Sequence, residues 1–151
     1  MHSRSLPSSV CKEEAIPSGY DERDRSMLEN DEADCRFCLG NALLGDEPLG
    51  GNRSFYMLGS VDPEMPHALM IILRRHAESP FDIHPDEWID LGEMPTLAKA
   101  YLASSSPDGF TLGWNVGAVG GQHVFHVHLH VVARFADEPN AGKGIRAVIR
   151  K

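Results

Sequence analysis

The chain has 151 residues, a formal net charge of −8 and 42% apolar residues, which suits one domain with a sizeable core. No apolar run is long enough to cross a bilayer. The first residues lack the apolar stretch of a secretory signal, and their acids disfavour a transit peptide. The excess of acid, with no basic stripe, argues against a long nucleic-acid backbone as partner; a small phosphorylated ligand needs only a local cluster of donors. The cysteines are Cys11, Cys35 and Cys38, too few and too odd in number for a secreted disulfide framework. A cytoplasmic protein is expected.

Residues 1–33 are polar and read as a flexible tail, because such a segment buries too little apolar surface to offset its ordering entropy. A short helix is allowed in SMLENDEADCRFC. The domain then runs over 34–151. CRFCLGNALLG suits a short helix ended by Gly45. NRSFYMLG reads as a strand. MPHALMIIL, a continuous apolar run behind a proline, reads as a central strand. HPDEWIDLGEMPTLAKAYLASS is the clearest helix. Pro85 suits its first position, Asp86 and Glu87 follow where the dipole favours acids, and Trp88, Leu91, Met94, Leu97, Ala98 and Tyr101 recur at helical spacing. Pro95 predicts a kink or break. FTLGWNV is a strand, AVGGQ a turn, HVFHVHLHVVAR the next strand, and the remainder mostly loop. Strands on both sides of a helix, joined by short connections, predict an α+β fold: an antiparallel sheet with helices packed on one face.

The last strand carries the most chemistry. Alternate strand residues point to opposite faces, so His126, His128 and His130 are expected on one face, about 7 Å apart at Cα. Phe125, Val127, Leu129 and Val131 are expected on the other, against the core. Three imidazoles in a row admit two functional readings. They are metal ligands, or one attacks phosphorus while its other ring nitrogen is held by an acceptor. The preceding GAVGGQ is a loop whose backbone N–H groups can approach an oxyanion.

His-Val-His-Leu-His-Val-Val, preceded by Gly121-Gln122 and by Asn115, resembles the signature of the histidine triad (HIT) family of nucleotide hydrolases and transferases. PHALMIILRRH and CRFC resemble the family's earlier strand and its cysteine pair, so the likeness spans about 35 to 136. It implies that His128 attacks the α-phosphate of a nucleotide. A nucleotidyl-histidine then forms and water releases the monophosphate. His126 and His130 would support the site. Gln122 and Asn115 would bind the phosphate region, and Met57, Leu58 and Phe37 the base. It also implies a homodimer, and as substrates nucleoside phosphoramidates, adenylylated compounds or dinucleoside polyphosphates.

Position 123, where family branches place Ser or Thr, carries His123, a candidate leaving-group acid or a solvent-facing ring. Many members hold the ribose with an Asp eight residues before the position of His67; counting back gives Gly59, with Asp62 out of register. Arg74, Arg75 and Arg134 read as solvated charges, although Arg134 could reach a longer polyphosphate.

The Cys35–Cys38 pair is half of a zinc site. The resemblance supplies His76 and His126 as the other half, with His84 a weaker substitute, and implies a structural zinc distinct from the nucleophile. The run from His67 to His76 is one residue longer than in the relatives it resembles. Two other functions compete with the enzyme: a nucleotide-binding scaffold with little turnover, and a metal-dependent hydrolase using the triad as ligands.

Overall fold

The computed structural model describes residues 32–148. The expected tail therefore lies outside the described residues except at its end, as do Cys11 and the last three residues. Five strands form one antiparallel sheet: β1 (Gly50–Gly51), β2 (Phe55–Gly59), β3 (Ala68–Leu73), β4 (Gly109–Gly113) and β5 (His128–Arg134), in the spatial order β1-β2-β3-β5-β4. Two helices, α1 (Pro85–Leu91) and α2 (Met94–Leu102), cross between β3 and β4. The α+β class and the central place of MPHALMIIL agree with the sequence reading. No helix among the described residues is long and apolar enough to cross a membrane.

Register fixes the two faces, because directly paired residues share a face. Tyr56 pairs with Ile72 and Leu58 with Met70; Ile72 in turn pairs with His128 and Met70 with His130. These six residues line the histidine face. The opposite face carries Phe55, Met57, Leu69, Ile71, Leu73, Leu129, Val131 and Ala133. It packs on Leu91, Met94, Ala98 and Leu102 of the helices.

The helix segment breaks as Pro95 requires, though the break falls earlier, at Gly92–Glu93, and Pro95 becomes the second residue of α2. There its missing N–H costs nothing. At the start of α1, Glu87 accepts the His84 backbone N–H at 2.8 Å, half of a capping box. The same carboxylate holds Arg75 in a two-pronged pair, 3.0 and 2.9 Å. Burial alone would raise the Glu87 pKa. The Arg75 hydrogen bond and the His84 N–H outweigh it, and the group lies below the ordinary carboxylate range. Arg75 is therefore a partly buried structural cation, its side chain 11% exposed, rather than a solvated charge, and it ties the end of β3 to α1.

Three local readings change. CRFCLGNALLG forms turns and a single 3₁₀ turn, Leu39–Asn41, with its two cysteines turned toward His76 and His126. The two-residue edge strand β1 has no sequence signal, since both its residues are glycine. The last strand starts at His128, not near His123: the His126 N–H turns back to the Val124 carbonyl, 2.9 Å, and this bend ends the alternation. Phe125 consequently stands 45% exposed and is not a core residue.

Candidate active site

The turn ahead of β5 needs its glycines. Gly121 has φ +90°, and a Cβ on Gly120 would sit 2.2 Å from the Val116 oxygen, so a side chain is excluded at the second and strained at the first. Gln122 closes the loop. Its Oε1 accepts the Gly117 N–H at 2.8 Å, and its Nε2 donates to the Glu78 and Val124 carbonyls at 2.8 and 3.1 Å. With the residue only 6% exposed and all these bonds made, Gln122 shapes the loop, where the resemblance implies a bond to phosphate. Asn115 is exposed beside Gly121, its Cγ 3.7 Å from where a Cβ would be. His123 is exposed.

The bend separates the three histidines. His128 and His130 remain neighbours on one face, their rings 4.9 Å apart and edge to face. The His128 Nδ1 lies 2.7 Å from the His126 carbonyl oxygen. A carbonyl only accepts, so Nδ1 carries the proton and Nε2 is left with a lone pair. Burial holds the His128 pKa below its ordinary value, with the His126 carbonyl opposing. Burial also lowers His130, and a charge on His128 would lower it further. The pair thus presents neutral imidazoles at neutral pH.

His126 has the opposite arrangement. Its Nε2–H donates to the Leu73 carbonyl at 2.6 Å, so the lone pair is on Nδ1. That atom lies 3.3 Å from Cys35 Sγ and 3.6 Å from Cys38 Sγ, and His76 Nδ1 lies 3.3 Å from Cys38 Sγ. All four ligand atoms fall within 4.8 Å of one another. Tetrahedral zinc, with its usual bond lengths, puts sulfur and nitrogen ligands about 3.6 Å apart. The donor set, its spacing and the ring tautomer imposed by Leu73 therefore fit a closed metal site. His76 reaches the cluster despite the extra residue before it. Glu32 Oε2 stands 2.8 Å from His76 Nε2, on the outer side of the cluster. Of the three triad histidines, only His126 belongs to this cluster, which counts against the triad as a common ligand set.

Phe37 joins the two centres. It lies between the cysteines in sequence, and its ring is 5.2 Å from that of His128 and 6.0 Å from that of His126. The Tyr56 hydroxyl donates to the Phe37 carbonyl at 2.6 Å. Burial, then the nearby cysteine sulfurs, push the tyrosine pKa far up, so this donor keeps its proton. Leu58 and Met70 line the same side. Met57 does not: it is a core residue on the helix face, because adjacent strand residues point to opposite faces. Alternation also puts Gly59 on the helix side and Ser60 on the histidine side. Asp62 turns its carboxylate to the Glu64 N–H, 2.9 Å. The tie from Tyr56 and the acceptor role of the His126 carbonyl carry no sequence signal, since the acceptor in each is a main-chain oxygen.

A family model described as the HIT domain matches residues 48–137. The chain is similar to protein HitA of Neisseria gonorrhoeae, 37% identical over 76 residues that make up 48% of this chain and 68% of that one. It is also similar to the adenylylsulfatase HINT3 of Arabidopsis thaliana, 26% identical over 121 residues, 78% of this chain and 59% of that one. Among solved structures, a zinc-bound histidine triad family protein from Mycobacterium smegmatis superposes with a TM-score of 0.62 at 21% identity, covering 70% of this chain and 78% of its own. With the family model spanning more than half the residues and the triad in place, this chain belongs to the HIT family.

Proposed function

We propose that the protein is a nucleotide hydrolase or transferase in which His128 Nε2 attacks the α-phosphate. One observation carries this reading: the bond from His128 Nδ1 to the His126 carbonyl, which leaves the far nitrogen as a lone-pair nucleophile. Burial that keeps the ring neutral supports it. So does the adjacent His130, a donor for phosphate oxygens. The naming of one relative as an adenylylsulfatase fits attack at an adenylyl phosphorus. The substrate in this reading is a small nucleotide.

Rapid mixing with substrate labelled at the α-phosphate tests the reading. Label is expected on His128, stable to base and released by acid. The pH profile gives a second check. Attack needs neutral His128, and its lowered pKa keeps it neutral to lower pH. The rate kcat/KM should therefore stay level through neutrality and fall only below the ordinary histidine value of about 6.5. A rate already declining as pH drops from 8 to about 7 contradicts an imidazole buried in this way.

We further propose that Cys35, Cys38, His76 and His126 hold a structural zinc ion; bound there, it would fix the cysteine segment to the start of β5. The protein is also proposed to pair with a second copy. Trp88, Leu97, Tyr101 and Leu112 are 45, 42, 50 and 38% exposed, and an apolar depression between α1 and β4 is lined by Trp88, Pro95, Leu112 and Trp114. Apolar surface of this kind beside the edge strand β4 favours self-association. Light scattering should give twice the chain mass, and Trp88→Glu should halve it. A monomeric wild type at micromolar concentration would refute the pairing.

A further inference from the structure

Two segments cross the histidine face, and they differ in chemistry. Phe37, Leu39 and Leu44 cover the β2–β3 half, packed with Leu58, Met70 and Ile72. The other half, toward β4, is crossed by the C-terminal segment. Gly113 pairs with His130, so both point to the histidine face. A Cβ on Gly113 would come 3.4 Å from Ile145 Cδ1, which places Ile145 over this face next to His130. The segment is anchored by Arg134, which alternation also puts on this face. Its Nη2 donates to the Asn140 carbonyl at 2.9 Å, Nη1 to Thr111 Oγ1 at 2.9 Å, and Nε to Glu138 Oε1 at 2.6 Å. Between Asn140 and Val148 the chain carries two cations, Lys143 and Arg146, and no acid, in a molecule of net charge −8. Both cations are exposed and flank Ile145.

We propose that Lys143 and Arg146 form the leaving-group end of the site and select an oxyanion leaving group, a polyphosphate or sulfate, over a neutral amine. This rests on the function proposed above. The base then lies toward the apolar half, the α-phosphorus at His128, and the leaving group under the C-terminal segment. His128 Nε2 forms a bond to phosphorus while the bridging P–O bond breaks, and its electron pair leaves on the polyphosphate or sulfate oxygen. That negative charge develops on the side of the two cations, which attract it electrostatically. Water then attacks phosphorus, the N–P bond breaks, and one proton of the water passes to solvent. Arg134 does not serve here directly, because Glu138 already pairs with it.

The test compares three substrates in the full chain: diadenosine tetraphosphate, adenylyl sulfate and adenosine phosphoramidate. Replacing both cations, Lys143→Ala with Arg146→Ala, should lower kcat/KM roughly tenfold for an anionic leaving group and leave the phosphoramidate within about twofold. Loss on the tetraphosphate alone indicates reach along an extended chain; loss on the sulfate as well indicates contact at the scissile oxygen. The swap Lys143→Arg with Arg146→Lys should restore the rates, and salt should weaken the anionic substrates selectively. Equal effects on all three substrates, or no effect on any, overturn the proposal while His128-dependent turnover of the phosphoramidate leaves the enzyme assignment standing. If none of the three is turned over and no label attaches to His128, both fall together.

Discussion

Substituting His128→Gln removes turnover by roughly four orders of magnitude or more while the protein stays folded. An amide cannot form the covalent bond to phosphorus, so the loss is of a chemical step. The fold should survive because the glutamine amide N–H can take over the bond to the His126 carbonyl, now made by Nδ1 at 2.7 Å, and because one polar side chain replaces another of similar volume. Steady-state rates, the covalent label and a thermal melt should be read on the same preparation. An unchanged melt with no label is the expected pattern. Normal turnover by this variant would remove His128 from the reaction and leave the row to His130.

The second large effect comes from the sulfur cluster. Cys38→Ser, or removal of metal by a strong chelator, should release one zinc per chain and lower stability by at least about 3 kcal/mol, a fall in Tm on the order of 10 °C. Mass spectrometry and a melt read both. Turnover should also fall, but for a reason of position: the His126 ring faces the cysteines while its carbonyl holds His128, and Phe37 touches both rings. Below the lowered Tm, His128 should therefore still take up label, more slowly. If metal-free protein of unchanged stability forms no label, and metal restores it, the ion is part of the chemistry and the structural assignment is wrong.

Much of this was legible in the sequence because it lies in period and spacing. The apolar run of β3, the helix with its proline break, and the row His128–Leu129–His130–Val131 are local patterns that burial enforces. Cys35 and Cys38 meet His76 and His126 as the resemblance implied. What was not legible depends on backbone placement. A strand read straight through from His123 misplaces Phe125, because the turn at Val124–His126 arises from a carbonyl and an N–H that every residue owns. Met57 and Leu58 are equally apolar, and only the register against Ile71 and Met70 says which one faces the histidines. The motif alone points Gln122 at phosphate, whereas its partners are three main-chain groups, one of them, the Glu78 carbonyl, 44 residues away. Arg75 was discounted as a surface charge because its partner, Glu87, is twelve residues away on another element.

The bond between His128 and residue 126 runs to a main-chain oxygen. Any amino acid at position 126 supplies that oxygen, whereas only a ligating side chain serves the cluster. The two duties are therefore separable in descent: a lineage can lose the cysteines and the ring of His126 and keep the orientation of the His128 ring, provided other packing holds the bend. Position 128 has no such freedom. Among homologues, variation in the cluster should accordingly be common and should say little about activity, while on the proposed mechanism variation at His128 should mark chains without turnover.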